Sequence, residues 1–285
     1  MKILVTGAGG QLGKCFKEAS LKYPDLNFTF TTSDDLDLSQ FAVVGAYMRR
    51  EKFDICINCA AYTNVEQAEK EQEMAYFLNA ESVRNLARDC EETGCTLIHI
   101  STDYVFNGEK DSPYSEEDAT DPLNVYGASK LLGEQYIQES TNRYLIFRTS
   151  WLYSEIGKNF FNTIRSKARA GETLNITTSQ KGTPTNAYDL AAFILEIIAT
   201  GKIKFGLYHY SNLGEATWFD FAKEILDITG SDAELIENND YQTLAVRPSY
   251  SVLNKEKVQQ VFNLPILHWK ESLKKLSIKS CNLSQ

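Results

Sequence analysis

The chain has 285 residues and a mass of 32.2 kDa, which predicts a single large unit or a core with a smaller lobe. Hydrophobic residues make up 43% and charged residues 24%, so the chain can bury a sizeable core and is not disordered. The formal net charge of -9 and the lack of a basic tract exclude nucleic acid or an anionic membrane as the main partner. An anionic ligand therefore needs a local positive pocket.

The N-terminal residues and the cysteines indicate a cytoplasmic protein. Residues 1–10 contain a few apolar residues and then glycines, without the long apolar stretch of a secretory signal. No stretch approaches the roughly 18 uninterrupted apolar residues of a membrane span. The six cysteines, Cys281 included, are expected as reduced thiols, because the C-x-x-C of Cys56 and Cys59 falls on a predicted strand rather than a zinc site.

Strand and helix patterns alternate through the first 150 residues. The predicted strands are residues 2–6, 28–32, 55–58, 96–101 and 144–149. Helical patterns follow at residues 12–19, 43–50 and 83–90, and from about Asn124. Because the strands are almost continuously apolar, they fit a parallel sheet that is covered on both faces. Residues 1–150 are therefore predicted to form an α/β domain, a doubly wound Rossmann sheet that binds NAD(P).

The C-terminal half predicts a smaller lobe. A helix at 189–198 and a strand at 206–211 indicate that residues 186–212 continue the sheet. Thr217 begins a further helix, with Asp220 in its first turn and Gly230 after its end. We expect residues 151–185 and 213–285 to form the substrate-binding lobe.

A glycine-rich segment follows the first predicted strand. Gly7, Gly10 and Gly13 are spaced three residues apart at the mouth of the first helix. Glycine lets the chain turn tightly and approach phosphate oxygens, and the helix N-terminus offers unpaired N–H groups. This segment predicts a dinucleotide site, and the alternative is a turn without a ligand.

The choice between NAD and NADP stays open in the sequence. The second strand ends in Thr31, Thr32 and Ser33, without the Asp or Glu that normally binds the ribose hydroxyls of NAD. Hydroxyls there tolerate a 2′-phosphate, but no Arg or Lys lies near to bind it. The small residues 57–61 after the third strand either approach the cofactor or pack tightly.

A Tyr-x-x-x-Lys pair provides acid–base chemistry. Tyr126 and Lys130 lie one helical turn apart, so both project from one face. An ammonium near a phenol favours the phenolate, so we expect Lys130 to lower the pKa of Tyr126 from about 10. Thr102, at the end of the fourth strand, is placed to share a hydrogen bond with a ligand carbonyl oxygen that also meets Tyr126.

Together these motifs resemble the extended short-chain dehydrogenases/reductases. More narrowly, several segments resemble the dTDP-4-dehydrorhamnose reductase family almost from end to end. These segments are residues 10–13, 59–69, 99–106, 122–127, 148–151, 182–185 and 247–248.

The resemblance implies reduction of the 4-keto group of dTDP-4-dehydro-L-rhamnose by NADPH or NADH. The implied catalytic residues are Thr102, Tyr126 and Lys130. The implied cofactor-binding residues are Gly7, Gly10, Gln11, Leu12, Gly13, Asp37, Leu38, Ala60, Ala61, Tyr62, Tyr126 and Lys130. The implied substrate contacts are Thr102, Asp103, Trp151 and Arg247. Trp151 is alternatively ordinary core, and Arg247, expected to bind the pyrophosphate of a dTDP-4-keto-6-deoxy sugar, is alternatively a surface ion pair.

One departure from the family concerns a metal. Some members form dimers around a magnesium ion held by glutamates, at positions where this chain has Cys15 and Tyr188. Thiol and phenol are poor magnesium ligands. We therefore expect no metal and a monomer or a weak homodimer.

Two other functions compete with the reductase. A nucleotide-sugar epimerase or dehydratase has the same scaffold. Dehydratases of this type have the sequence Thr-Asp-Glu after the fourth strand, and this chain has Tyr104 in place of that Glu. A non-catalytic NAD(P)-binding regulatory subunit is the other, and the intact Thr102, Tyr126 and Lys130 count against it.

Overall fold

The computed structural model describes residues 1–240 and 243–282, with side chains described as far as residue 277 and residues 241–242 omitted. The predicted lobe at 213–285 therefore extends beyond the described residues at its C-terminus. The side chain of Cys281 also lies outside them.

A parallel sheet of six strands forms the centre of the fold. The strands of the chain are β1 Lys2–Thr6, β2 Asn27–Thr31, β3 Ile55–Asn58, β4 Thr96–Thr102, β5 Tyr144–Thr149, β6 Leu152–Tyr153, β7 Leu174–Ile176, β8 Lys181–Gly182, β9 Thr185–Asn186, β10 Gly206–His209, β11 Ala216–Thr217 and β12 Leu235–Glu237. The central sheet has the order β10-β5-β4-β3-β1-β2, and all of its pairings are parallel. The order reverses beside β1, which opens a crevice between the carboxyl ends of β1 and β3.

Helices cover both faces of this sheet. They are α1 Gln11–Ala19, α2 Phe41–Glu51, α3 Val65–Ala68, α4 Gln72–Tyr76, α5 Ser82–Thr93, α6 Val125–Ser140, α7 Phe160–Arg169, α8 Ala187–Ala199, α9 Trp218–Thr229, α10 Glu256–Phe262 and α11 Trp269–Asn282. Ile3 and Val5 of β1 pack with α1 and α8 on one face, and Leu4 packs with α2 and α5 on the other. Burial on both faces explains why the central strands are almost continuously apolar. The predicted doubly wound fold is confirmed.

A second core lies beyond the sheet. Phe161 of α7, Phe221 of α9 and Trp269 of α11 pack together with Leu174 of β7. Three two-stranded pairings accompany this core: β6 with β9, β7 with β12, and β8 with β11. This lobe is built from segments before and after β10, so the chain enters it twice.

Most predicted elements lie within one or two residues of those in the structure. The predicted strand near Gly206 is β10, paired with β5, and Thr217 and Asp220 form a capping box at α9. The sequence pattern does not predict α3, α4 or the π-helical turn at Phe77–Glu81. Helices of four or five residues are too short to show helical periodicity.

No helix within the described residues is long and apolar enough to cross a membrane. The five cysteines whose side chains are described form no disulfide bonds with one another.

Candidate active site

A cleft of about 800 Å³ opens at the carboxyl ends of the central strands. It contains most of the residues that the sequence assigned to a site. They are Gly7, Gly10, Gln11, Leu12, Asp37, Leu38, Ala60, Ala61, Thr102, Asp103, Tyr126, Lys130, Trp151 and Arg247. Gly13 and Tyr62 are the exceptions. The cleft lies where open α/β sheets bind their ligands, although the roles of the individual residues stay predictions.

The glycine loop fits a pyrophosphate through its backbone. Gly7 has φ +65°, and a Cβ there would lie 2.5 Å from the backbone nitrogen of Ala60. Gly13 is behind the loop, where a Cβ would lie 2.5 Å from the carbonyl oxygen of Gly7. No side chain within the described residues caps α1 at Gly10. The first N–H groups of α1 are therefore available to an anion in the cleft.

The end of β2 contains hydroxyl and carboxyl groups. The N–H and the hydroxyl of Thr32 donate to Asp35 Oδ2 at 2.9 and 2.8 Å. The N–H of Ser39 donates to Asp37 Oδ1 and lowers the pKa of that carboxyl. The cationic side chains of the cleft, Lys130, Lys158 and Arg247, come from other segments. The structure thus leaves the choice between NAD and NADP open.

The loop after β3 lies against the glycine loop. Asn58 Oδ1 accepts hydrogen bonds from the Thr6 hydroxyl at 2.7 Å and from the Ala60 N–H at 3.1 Å. Tyr62 does not line the cleft, because its hydroxyl donates to Glu71 Oε2 at 2.6 Å. That hydrogen bond raises the pKa of Tyr62 to about 12.

The predicted acid–base groups meet in the cleft. Thr102 ends β4, and Tyr126 lies in the first turn of α6, which Asn124 caps by accepting from the Gly127 N–H at 2.8 Å. The Thr102 side chain acts on the Tyr126 phenol and lowers its pKa. Lys130, one turn further along α6, is 2% exposed. A strand end and a helix start thus bring these three side chains together.

The predicted lowering of the pKa of Tyr126 by Lys130 is wrong for the ligand-free protein. Burial raises the pKa of Tyr126 to about 12, and the Asp103 carboxylate adds to this against the hydrogen bond from Thr102. Lys130 Nζ instead donates to the carbonyl oxygen of Ile100 at 2.7 Å. The two residues share a helical face, but Lys130 extends toward β4.

Asp103 is a buried carboxyl beside these groups. It is 2% exposed, and its Oδ1 accepts from the Thr102 hydroxyl at 3.1 Å. Burial raises the pKa of Asp103 to about 7, although hydrogen bonds with Ser251 and Thr102 oppose the shift. Asp103 therefore changes charge near neutral pH.

Trp151 lines the cleft and is only half-buried. Its backbone has φ +45°, and its ring stacks on that of Trp218 with centroids 3.6 Å apart. Trp218 Nε1 donates to Gln180 Oε1 at 3.0 Å. The ring of Trp151 is thus held at the wall of the cleft.

Arg247 lines the cleft and also forms an ion pair. Arg247 Nη2 donates to Glu66 Oε1 at 2.9 Å, and the Arg247 side chain is 24% exposed. Glu66 Oε2 accepts from the N–H of Leu244 at 2.8 Å. The alternative of an ion pair is thus present, and binding of the pyrophosphate by Arg247 stays a prediction.

Sequence reasoning did not identify several residues that line the cleft. These include Gly9, Leu36, Lys158, Asn159, Phe160 and Trp218. Asn159 caps α7 and donates to Gln11 Oε1 at 2.7 Å, and its capping position is a signal that sequence inspection can find. Trp218 gives no such signal, because it begins α9, a helix whose sequence is far from the motifs that predict the cleft.

The positions where some family members hold magnesium are occupied differently here. The Tyr188 hydroxyl donates to Glu18 Oε2 at 2.6 Å and to Glu155 Oε1 at 3.1 Å. Among the described residues, no group of three or more His, Cys, Asp or Glu is arranged to hold a metal ion. Absence of a metal and the oligomeric state stay predictions.

Comparison with known proteins gives the family. The family model described as RmlD substrate binding domain matches residues 1–281. The dTDP-4-dehydrorhamnose reductase of Salmonella typhimurium is 38% identical over 289 residues, covering 97% of each chain. A structure of the reductase from Bacillus anthracis in complex with NADP has TM-score 0.94 at 36% identity, covering 98% of this chain and 99% of that one. The reductase structure from Clostridium acetobutylicum has TM-score 0.93 at 36% identity, covering 99% and 100%. The chain is therefore a member of the dTDP-4-dehydrorhamnose reductase family.

Proposed function

We propose that the chain uses NADPH or NADH to reduce the 4-keto group of dTDP-4-dehydro-L-rhamnose, giving dTDP-L-rhamnose. The observation that carries the proposal is that Thr102, Tyr126 and Lys130 line the same cleft as the glycine loop. A nicotinamide nucleotide bound at that loop supplies the hydride. The names of the full-length relatives support the substrate.

Tyr126 is the proton donor in this proposal. Reduction needs a group that carries a proton and gives it to the new alkoxide, and a pKa of about 12 keeps the phenol protonated at neutral pH. The Thr102 hydroxyl bonds the carbonyl oxygen and orients it toward Tyr126. Such positioned proton transfer contributes roughly 10² to 10⁴ in rate.

Residues on the opposite wall bind the sugar nucleotide. Trp151 offers an aromatic face to the sugar, and Arg247 offers a planar guanidinium to the pyrophosphate. Lys130, Lys158 and Arg247 line the cleft together with Asp37 and Asp103. These cationic side chains are the local compensation that an anionic substrate needs on a chain of net charge -9.

The dehydratase and epimerase reading has less support. This chain has Tyr104 at the position of the dehydratase Glu. Tyr104 is 7% exposed, and burial raises the pKa of its phenol. A protonated phenol does not remove a proton from sugar carbon as a carboxylate does.

A coupled assay tests the proposal. The purified protein should oxidise NADPH or NADH only when a dTDP-4-keto-6-deoxy sugar is added. Tyr126→Phe should lose at least about a hundredfold in turnover and still bind cofactor. Tyr136→Phe is the matched control, because Tyr136 lies on α6 under the Arg84 guanidinium, 4.7 Å from it, and does not line the cleft. Unchanged turnover in Tyr126→Phe overturns the assignment, and no oxidation with either cofactor favours the regulatory subunit.

A further inference from the structure

A row of buried polar side chains runs beneath the cleft from β1 to α6. Its members are Thr6, Asn58, His99 and Lys130, none more than 2% exposed. Asn58 pairs with His99 in the register of β3 and β4, and Asn58 Nδ2 lies 3.1 Å from His99 Nδ1. His99 Nε2 lies 3.1 Å from Lys130 Nζ. His99 therefore connects the core of the sheet to the lysine of the Tyr-x-x-x-Lys pair.

The backbone fixes the orientation of the Asn58 amide. The Ala60 N–H can only donate, and it lies 3.1 Å from Asn58 Oδ1. The amide nitrogen must then point to His99, where it donates to Nδ1. Burial lowers the pKa of His99 well below its usual value, so the imidazole is neutral. A neutral ring that accepts at Nδ1 carries its proton on Nε2.

The proton on Nε2 points at Lys130 Nζ. An ammonium has three donors and no acceptor, whereas an amine accepts one hydrogen bond. The amine satisfies both contacts, because it accepts from His99 and donates to the Ile100 carbonyl oxygen at 2.7 Å. The ammonium leaves two donors facing each other in a buried site, which is costly.

We propose that His99 is a positioning residue that favours the amine form of Lys130, and that binding of the nicotinamide nucleotide favours the ammonium form, with uptake of up to one proton from solvent at alkaline pH. The inference rests on the proposed function and on Lys130 as a cofactor-binding residue, because an ammonium offers three donors to the hydroxyls of a nucleotide. Cofactor binding and protonation of Lys130 are then coupled, and His99 sets the strength of the coupling.

The groups around Lys130 give it a pKa within the pH range that a binding experiment can reach. The titratable and charged groups on the elements packed around it include Cys59 after β3, His99 on β4, Asp103 after β4, Arg148 on β5, and Tyr126 and Glu134 on α6. Burial lowers the pKa of Lys130 to about 8, while Glu134 and Cys59 oppose the shift. Arg148 pairs with Glu134 at 2.7 Å, which offsets the charge of that carboxylate. The donor on His99 lowers the pKa in the same direction as burial.

Nitrogen NMR of the ligand-free protein tests the tautomer directly. The chain has three histidines, so ¹⁵N-histidine labelling gives a spectrum that the His99→Gln variant assigns by difference. We expect His99 to carry its proton on Nε2, with Nδ1 unprotonated. A proton on Nδ1, or a doubly protonated ring, overturns the proposal. The experiment uses the unaltered protein and does not depend on activity.

The pH dependence of NADPH and NADH affinity tests the coupling. Above the pKa of Lys130 in the protein without nucleotide, about 8, the Kd should rise about tenfold for each pH unit. In His99→Gln the side-chain carbonyl accepts from the ammonium, so the break in the profile should move up by about one pH unit or more.

A purely structural role would weaken binding equally at every pH. Ile98→Val is the control, because Ile98 is buried in the same strand and the break should not move. An unmoved break in His99→Gln overturns the coupling even if the protein reduces its substrate. Failure of both nucleotides to bind the unaltered protein overturns the proposed function instead, and with it the proton uptake, while the NMR result still decides the tautomer.

Discussion

The indole rings of Trp151 and Trp218 stack face to face, with centroids 3.6 Å apart and an angle of 8° between their planes. Trp151 also meets Gly182, where an added Cβ would lie 2.6 Å from Trp151 Cε2. Trp151, whose backbone has positive φ, thus contacts both a glycine and a second indole. Trp218 fixes the ring that we expect to contact the sugar.

Removing the second indole should weaken substrate binding. Aromatic pairs contribute about 0.5–1.5 kcal/mol beyond the area they bury. Trp218→Leu should therefore raise the KM for the sugar nucleotide up to roughly tenfold, with little change in the Kd for NADPH. Steady-state kinetics and cofactor titration measure the two quantities. Phe205→Leu, at an exposed side chain outside the cleft, is the control, and an unchanged KM in Trp218→Leu would show that Trp151 needs no support.

Arg247 is placed to change partners on substrate binding. In the ligand-free protein its guanidinium is paired with Glu66 at 2.9 Å, and a pyrophosphate offers a more highly charged acceptor. A hydrogen bond to a charged group contributes about 1.5–3 kcal/mol, so Arg247→Ala should raise the KM for the sugar nucleotide roughly 10- to 100-fold.

The turnover number and the cofactor Kd of Arg247→Ala should change little. Arg84→Ala removes a half-exposed ion pair with Glu81 and serves as the control in the same kinetic measurements. If Arg247→Ala and Arg84→Ala have the same KM, Arg247 is an ion pair only.

The sequence predicts the central sheet well because its signals are local. Continuous apolar strands, the glycine loop and the i, i+4 spacing of Tyr126 and Lys130 all lie within short segments. Alternating strands and helices then fix the side of the sheet where the segments meet.

Features that depend on packing between distant parts of the chain could not be predicted from the sequence. Trp218 reaches the cleft from α9 by stacking on Trp151, and nothing near it in sequence indicates this. The predicted direction of the Tyr126 pKa shift was wrong, because residue spacing shows which side chains share a helical face but not how deeply they are buried. The tautomer proposed for His99 likewise depends on the backbone N–H of Ala60, just after β3, because that N–H orients the Asn58 amide next to His99.

The glycines of the loop should separate into structural and functional positions. A Cβ at Gly13 would lie 2.5 Å from the Gly7 carbonyl oxygen, whereas a Cβ at Gly9 would meet only Thr32 Cγ2, at 3.5 Å. Gly13→Ala should therefore lower the free energy of unfolding by roughly 1–3 kcal/mol.

Gly9→Ala should fold normally but place a methyl group in the cleft and weaken NADPH binding at least about tenfold. Urea unfolding and cofactor titration of the two variants measure the difference. Equal losses of stability in both variants would contradict it.

Asp103 should make stability depend on pH in the direction opposite to most carboxylates. Its pKa is raised from 3.8 to about 7 by burial, so the folded state binds the proton more tightly than the unfolded state. Its contribution is fully present below pH 3.8 and is lost as the pH rises through about 7. Asp103→Asn cannot ionise and should be more stable than the unaltered protein at pH 8, by on the order of 4 kcal/mol, with a smaller difference at pH 5.

Urea unfolding at the two pH values measures this effect. Asp118→Asn is the control of opposite sign, because hydrogen bonds from Lys110 and Ser115 lower the pKa of Asp118. That variant should be less stable than the unaltered protein by about the same amount at pH 8 and at pH 5, because both pH values lie above the lowered pKa of Asp118. If Asp103→Asn gains no more stability at pH 8 than at pH 5, Asp103 is ionised in the folded protein at both pH values. Its buried carboxylate then stabilises the fold through Ser251 and Thr102 rather than destabilising it.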